Sequence, residues 1–520
     1  MTIPPASDRP VDLARLLKGW VAAEAIPSLD VTGIESDSRK LKPGTLFLAT
    51  KGLHRHGLEF LDQALAAGCP AVAYDPEGAE VIRGLGDSMV PLIAVPDLTR
   101  HLGLMAARFY EEPSAALNVI GVTGTNGKTS CTHFLAEAVQ GSRQASVVGT
   151  LGWGKPGHLR LTQHTTPEPI ELQRILAHLR DEGCQMVAME ASSHGLAQGR
   201  LSGVRFQGAV FTNFSRDHLD YHGTMDAYLE AKLELASWPG LRFIAFNAEE
   251  AFAAPIVARM SGKLELLGFC SESYQTALEI PLLRFGAASY HPDGMRFDVI
   301  YEGRRASIKT ALYGDFNVEN LTATLAAMLC LGIEFDLAIS HLEKVVAVPG
   351  RMERVLCKGR QVIVDYAHTP DALATVLEGV RKHAPSNLWV IFGCGGDRDR
   401  GKRSEMGAVA SAMADHIVLT DDNPRTEDGD QIIRDILSGI SRPDAIVIRD
   451  RRVAIRHALE AIGPEDLLVV AGKGHETTQE VDGIKYPFND RSVIEETWLD
   501  LVRESRQPAV ESHPQRFVQG

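Results

Sequence analysis

Short apolar runs alternate with helically spaced stretches along most of the chain. In the first part, GTLFLAT and AVAYD predict strands, and EFLDQALAAG between them predicts a helix closed by glycine. A polar break, YEEPSAA, follows. Then LNVIGVTG, an apolar β-rich run, enters a glycine loop, and KTSCTHFLAEAVQG continues as a helix ending at Gly141. QMVAME, GAVFTNF and RFIAFN predict further buried strands, and FNVENLTATLAAMLCLG an amphipathic helix. Together these predict a mainly parallel sheet covered by helices. A third series starts near Val348, where QVIVDYA, LWVIFGCGG, HIVLTDDNP, AIVIRD and LLVVAGKG alternate with helical stretches in the manner of a doubly wound sheet. The expected fold class is α/β. The divisions fall at residues 1–112, 113–346 and 347–505, with a polar tail over 506–520.

Composition narrows the range of functions. A chain of 520 residues exceeds one core, and 44% hydrophobic with 23% charged residues is ordinary for a soluble globular protein. A net charge of -14 argues against a nucleic-acid footprint, which needs clustered Lys and Arg. The seven cysteines stand singly, with no C-x-x-C pair, which argues against disulfide and zinc frameworks and suits the reducing cytoplasm. The start has no basic segment leading into an apolar core, so no secretory signal is expected. No apolar run reaches the roughly 18 residues of a membrane span.

The chemistry starts at GVTGTNGKTS. The general phosphate loop, G-x-x-x-x-G-K-[ST], needs a glycine where this chain has Val122; the glycine here is Gly124. Gly124 and Gly127 still permit a tight turn whose N–H groups face phosphate, Lys128 can reach a terminal phosphate, and Thr129 offers a metal a hydroxyl at a helix N-terminus. Glu190, in MEASSHGLAQGR, falls at a strand's carboxyl end beside His194, Gln198 and Arg200, and a carboxylate there suits magnesium. FTNFSRDHLDYHG gathers Asp217, His218, Asp220 and His222 ahead of Lys232, a cluster fit for metal binding or proton chemistry. Arg351, Asp365 and His368 flank another strand, and FGCGGDRDRGKR packs Asp397, Arg398, Asp399, Arg400, Lys402 and Arg403 after a glycine turn. A plain glycine turn, solvated strand ends and a charged surface loop are the bland readings of the same residues.

Taken together and in order, GTNGKT, TTPEP, MEASSHGL, TNFSRDHLDYHG, YLEAK, GDFNVEN, PGRMER, DYAHTPDAL, GGDRDRGKR, DNPR and AGKGHE resemble the Mur ligase family over most of the chain. The family's shorter loop, G-T-N-G-K-[ST], accounts for Gly124. The resemblance implies a UDP-binding N-terminal domain, a central P-loop ATPase domain and a Rossmann-like C-terminal domain. It implies an ATP-dependent ligase of cytoplasmic peptidoglycan synthesis: a carboxylate of a UDP-linked precursor is phosphorylated, and an incoming amine attacks the acyl phosphate. It places ATP on Gly124, Thr125, Asn126, Gly127, Lys128, Thr129, Ser130, Asn320, Arg351 and Asp365. Mg2+ falls on Thr129 and Glu190, with His218 and a carbamylated Lys232 at a second ion; Lys128, Glu190, His218 and Lys232 form the catalytic set. The UDP-MurNAc-L-Ala-D-Glu positions are Ser36, Ser38, Leu53, His54 and Arg55 in the first domain. Thr165, Thr166, Ser192, Gln198 and Arg200 supply the rest. His164 stands where some relatives have Asn, and Leu53–Arg55 also departs from them. A monomer without nucleic-acid or membrane partners is implied.

DNPR, Asp422, Asn423, Pro424 and Arg425, matches relatives that add meso-2,6-diaminopimelate; lysine-adding relatives lack the arginine. A guanidinium can hold diaminopimelate's distal carboxylate bidentately, whereas lysine's ammonium would meet a like charge. Arg398, Gly472 and Glu476 match the other positions for this amino acid, Glu476 facing the distal amine. A lysine-adding ligase, a folylpolyglutamate synthase-like ligase and a non-catalytic nucleotide-binding protein stay open as alternatives.

Overall fold

Val-, Ile- and Ala-rich runs form the strands, and polar residues close them. The computed structural model describes residues 9–52, 55–79, 88–357, 359–384 and 386–504. Leu53, His54 and the 506–520 tail lie outside the described residues. Near the N-terminus, Gly33–Glu35, Thr45–Ala49, Val72–Tyr74 and Leu92–Ala94 pair in that order as a parallel sheet. Helix Leu98–Phe109 packs its buried face against this core. The expected strands and intervening helix are present, the helix opening as a tight turn over Gly57–Phe60.

The central sheet has a parallel body. Its strand order is Ala145–Gly149, Met186–Glu190, Asn118–Thr123, Phe206–Phe211, Phe243–Asn247, Glu265–Ser271 and Leu282–Phe285. Antiparallel strands extend it at both margins. Asn118–Thr123 lies inside this sheet, with Glu190 in register with Val122 on the neighbouring strand. Glu190 thus sits beside the loop that follows Thr123. Helix Phe316–Cys330 departs from the expected amphipathic pattern: every side chain from Asn320 to Met328 is buried. Its threonines allow this, since Thr324 Oγ1 returns a hydrogen bond to Asn320 O at 2.8 Å.

The C-terminal sheet runs Glu353–Cys357, Arg360–Asp365, Leu467–Ala471, Leu388–Phe392, His416–Leu419 and Ile446–Val447. All pairs are parallel except the first, an antiparallel edge. Helices are capped where the sequence supplies a short polar side chain: Thr369 before Pro370, Asp428 and Asp450 each accept from a first-turn N–H. The α/β class therefore holds.

Two compact units form. One holds Met1–Ala287, Phe297–Ile308 and Glu319–Val345; the other holds Ala288–Arg296, Lys309–Val318 and Val346–Gly520. Within the first, Arg174 ties the two sheets together, its Nε donating to Tyr110 Oη at 3.0 Å and its Nη2 to Glu35 at 3.3 Å. Among the described residues no helix is long and apolar enough to cross a membrane.

Candidate active site

Strand Asn118–Thr123 delivers the chain into a loop that two glycines make possible. Gly124 has φ +150° and Gly127 φ +83°. A Cβ on Gly124 would stand 1.9 Å from Thr212 Oγ1, and one on Gly127 2.4 Å from Asn320 Oδ1. The loop is strapped from the side. Asn213 Oδ1 accepts from Asn126 N at 2.8 Å, and Thr212 Oγ1 donates to Asn126 O at 2.6 Å. Thr125 Oγ1 donates to Ser215 O or shares with Tyr228 Oη, both at 3.2 Å. Lys128 opens helix Lys128–Val139 and folds back, its Nζ donating to Gly124 O and Thr125 O at 2.8 Å. Ser130 lies in the first turn.

Thr129 and Glu190, sixty-one residues apart, meet here: Thr129 Oγ1 donates to Glu190 Oε1 at 2.9 Å. Thr150 closes the other side, its N–H reaching Oε1 at 2.8 Å and its Oγ1 reaching Oε2 at 3.1 Å. Glu190 is 1% exposed, and a Cβ on Gly149 would stand 2.2 Å from its Oε1. An oxygen-only donor set beside a phosphate-type loop is the kind magnesium takes.

Lys232 is buried at the foot of the same loop. Its Nζ donates to Gly124 O at 2.7 Å and lies 4.4 Å from the Tyr228 ring centroid. Burial holds its amine well below the ordinary lysine value; Lys128 pushes the same way and Asp217 opposes. His218 takes a left-handed backbone, φ +52°, ahead of Leu219–His222. Its ring packs edge-on against His194 at 4.8 Å and lies 3.4 Å from Asp217. Burial lowers His218, His194 and His222 below the ordinary histidine value. Asp217 and His218 belong to the loop's surroundings, while Asp220 lies in the first turn of the short helix beside it. Among the described residues no three His, Cys, Asp or Glu side chains converge as a metal-binding group.

A polar strip runs on from Glu190. Thr150 Oγ1 shares a hydrogen bond with Thr165 Oγ1 at 3.0 Å, and Thr166 Oγ1 meets Glu190 O and Ser192 Oγ, each at 3.0 Å. Ser192 caps helix Ser193–Ala197. Arg200 donates to Thr166 O at 3.1 Å and to Gln198 Oε1 at 2.9 Å, and lies 3.2 Å from Glu168. The structure thus brings together all five central positions assigned by resemblance. His164 is half exposed, 3.9 Å from Glu168. In the N-terminal sheet, Ser36 and Ser38 follow strand Gly33–Glu35, with Ser38 Oγ donating to Gln63 at 2.9 Å. Arg55 pairs with Glu59 at 2.8 Å and stacks on Phe60.

The C-terminal sheet gathers its own cluster at strand carboxyl ends. Asp365 is buried; Met352 N and Ala367 N donate to it at 2.7 and 2.8 Å, so it braces the segment carrying Arg351. Burial raises its carboxyl above the ordinary value, against the pull of Arg351. Arg351 lies over the Tyr366 ring at 4.6 Å. Asp422 and Asn423 are buried after strand His416–Leu419. Pro424 O lies where a Cβ on Gly396 would fall, 1.9 Å away, so the two loops pack backbone to backbone. Arg425 has φ +54°. It donates through Nη1 to Gly396 O at 2.8 Å, with Nε 3.7 Å from Glu480. Gly472, at φ +111°, admits Asp422: a Cβ would stand 2.4 Å from Asp422 Oδ2. Glu476 accepts from Asn423 Nδ2 and from Lys473 Nζ, each at 2.9 Å. Arg398 is exposed, near Gly395. Of the charged run around it, Arg403 turns inward, fully buried, on Glu427 and Asp435.

Thr150, Tyr228, Lys473 and Glu480 were not singled out from the sequence. Only Lys473 and Tyr228 lay within motifs already noted, AGKGHE and YLEAK, so motif membership could have flagged those two.

Three family descriptions match in chain order: Mur ligase family, catalytic domain, over residues 30–110; Mur ligase middle domain over 122–328; and Mur ligase, glutamate ligase domain, over 350–474. A protein of Alkalilimnicola ehrlichii is 45% identical over 489 residues, 93% of this chain and 97% of the relative. One from Pseudomonas aeruginosa is 44% identical over 458 residues, 87% of this chain and 92% of the relative. Both carry the name "UDP-N-acetylmuramoyl-L-alanyl-D-glutamate--2,6-diaminopimelate ligase". A solved structure titled with that name superposes with TM-score 0.71 at 34% identity, covering 95% of this chain and 100% of its own. The MurF ligase of Thermotoga maritima, solved in complex with ADP, shares the fold with TM-score 0.60 at 17% identity, covering 91% of this chain and 98% of its own. With three domains matched in order, and relatives this similar along nearly the whole length, the chain belongs to the Mur ligase family.

Proposed function

We propose that this chain is the ATP-dependent, ADP-forming ligase that joins meso-2,6-diaminopimelate to the D-glutamate γ-carboxylate of UDP-MurNAc-L-Ala-D-Glu. It acts as a cytoplasmic monomer in the making of peptidoglycan precursor. The observation that carries the reading is Arg425, anchored through one nitrogen to Gly396 O in the turn Asp422–Arg425. Asn423, in the same turn, donates to Glu476 at 2.9 Å. A guanidinium and a carboxylate so placed suit an amino acid with a distal carboxylate and a distal amine, which is diaminopimelate and not lysine. The names of the similar proteins support the same substrate.

In this reading ATP lies on Gly124–Ser130, Lys128 neutralises the terminal phosphates, and Asn320 meets the adenine. Arg351 and Asp365 are the remaining residues assigned to the nucleotide. Mg2+ would be held by Thr129 and Glu190 and would screen phosphate charge. The buried oxygen donor set fits it. His218 and Lys232 fit a second ion once Lys232 carries a carbamate, because a protonated amine offers no lone pair. Burial lowers Lys232's amine below its ordinary value, which favours the neutral form that reacts with CO2. The UDP-linked substrate extends from Ser36, Ser38, Leu53, His54 and Arg55 to Thr165, Thr166, Ser192, Gln198 and Arg200. The γ-carboxylate oxygen takes the terminal phosphoryl group, ADP leaves, and the amino acid's free amine attacks the carbonyl carbon. The tetrahedral adduct then expels phosphate and loses a proton from nitrogen. Two feasible displacements replace one in which oxide would leave, and positioning with charge neutralisation supplies most of the acceleration.

The test is phosphate release with ATP, magnesium and UDP-MurNAc-L-Ala-D-Glu, comparing meso-diaminopimelate with L-lysine. Turnover with diaminopimelate alone is expected. Turnover with lysine would overturn the specificity, and silence with both would overturn the substrate.

A further inference from the structure

Lys473 is fully buried between two residues of the proposed amino-acid site. Its Nζ donates to Asn423 Oδ1 at 3.1 Å and to Glu476 Oε2 at 2.9 Å. Glu480 N donates to the same Asn423 oxygen at 2.9 Å. With two donors on its oxygen, the Asn423 amide has one sensible orientation: Nδ2 must face acceptors, and it finds Asp422 Oδ1 at 3.0 Å and Glu476 Oε2 at 2.9 Å. Both protein donors to the Glu476 side chain therefore fall on one oxygen, Oε2. No described residue donates to Oε1, and the side chain is 32% exposed.

We infer that Lys473 is a positioning residue for the incoming amino acid: by fixing the Asn423 amide and saturating Glu476 Oε2, it leaves Oε1 to receive the substrate's distal ammonium. The inference rests on the substrate reading above. It assigns Lys473 no contact with the substrate. The lysine also favours the charged form of the carboxylate. Burial alone would raise Glu476, but Lys473 overrides it and the group lies below the ordinary glutamate value. The other groups facing Glu476 are His475 on its own segment, Asp422 and Asn423 on the turn, Arg451 on helix Arg451–Ala461, and Tyr366 beyond strand Arg360–Asp365. His475 is pushed down to about 4, chiefly by burial, and so carries no charge near neutrality. Arg451 is engaged bidentately by Asp490 at 2.7 and 2.8 Å. Among the described residues, Lys473 is thus the one cation bonded to Glu476.

The experiment is steady-state kinetics of Lys473→Met across pH, varying diaminopimelate and the UDP-linked substrate separately. The KM for diaminopimelate should rise about tenfold or more, with the KM for the UDP-linked substrate unchanged. The acid limb of kcat/KM for diaminopimelate should move to higher pH, because Glu476 now protonates more readily. A merely structural lysine would raise both KM values or neither and leave that limb in place, which would overturn the inference. If Lys473→Met does not fold, Lys473→Gln, which keeps a hydrogen-bond donor but no charge, takes its place. It should raise the diaminopimelate KM and move the acid limb to higher pH, and a wild-type KM with that limb in place would overturn the inference equally. Wild-type protein failing to use diaminopimelate would defeat the substrate reading instead, and the two failures are told apart by that control.

Discussion

At the scale of single residues, Arg425 is held by backbone and by Glu480 before any substrate arrives. Its N–H donates to Glu480 O at 3.0 Å, and its left-handed φ is tolerated because Asp482 N bonds back to Arg425 O at 2.6 Å. Such preorganisation keeps the entropy cost of recruiting a long side chain low. Arg425→Ala should raise the KM for diaminopimelate at least about tenfold, the ~1.5–3 kcal/mol of a charged hydrogen bond, while the KM for the UDP-linked substrate stays within error. Unchanged diaminopimelate kinetics in that variant would remove Arg425 from the site. Residues such as Arg425, Lys128 and Glu190 were legible because each lies in a short motif at a strand end. Thr150 was not, because its importance comes from hydrogen bonds to Glu190, 40 positions away, which no local spacing encodes; Lys473 lies inside AGKGHE, but its bond to Asn423, 50 positions away, shows only in the fold.

At the scale of elements, the strand, loop and helix spanning residues 118–139 form a unit whose geometry depends on Thr212 and Asn213, from the neighbouring strand's exit. Gly124→Ala would place a methyl against Thr212 Oγ1 in a backbone conformation that L side chains rarely adopt, at a cost of about 1–3 kcal/mol before the clash is counted. The KM for ATP should rise by more than about tenfold. Adding Thr212→Ala should recover part of it by removing the clash and leaving the strain. Full activity in Gly124→Ala would mean that the loop adopts another shape in use. The sequence announced this element, because apolar run, glycines and helix signals coincide. It did not announce the separate two-stranded hairpin of Thr478–Val481 with Ile484–Pro487, whose residues are partly or fully exposed and carry no apolar alternation. Nor did it announce that Phe316–Cys330 is buried nearly all round, since Asn and Thr read as polar positions until their hydrogen bonds are seen.

At the scale of the molecule, the C-terminal unit is held together by ion pairs sunk beneath its loops. Arg403 is the clearest: fully buried, it donates to both oxygens of Glu427, at 2.9 and 2.7 Å, and to Asp435 at 2.8 Å. Glu427 in turn accepts from Asp397 N at 3.0 Å, so the pair joins the loop after Leu388–Phe392 to the loop after His416–Leu419. These loops carry Arg398 and Arg425, and the architecture thereby fixes the spacing of the proposed amino-acid site. Arg403→Met would leave Glu427 to the exposed Arg400 guanidinium, 3.0 Å away, and Asp435 to the Gln431 amide at 2.7 Å, and should cost about 3 kcal/mol near neutral pH. The pH dependence has a definite sign. The Arg403 guanidinium draws Glu427 from its ordinary 4.5 down to about 2, so its stabilisation is complete above 4.5 and is lost as pH falls through that interval. In the variant the buried cation is gone, the exposed Arg400 replaces it only in part, and protonation of Glu427 relieves the remaining cost of its charge. The stability gap between wild type and variant should therefore narrow from neutrality toward pH 3. Amide hydrogen exchange in strands Leu388–Phe392 and His416–Leu419 reads this gap locally, without requiring the whole chain to unfold in one step. A gap that stays constant with pH would show that Arg403 contributes by filling space, and that the two loops are spaced by packing rather than by charge.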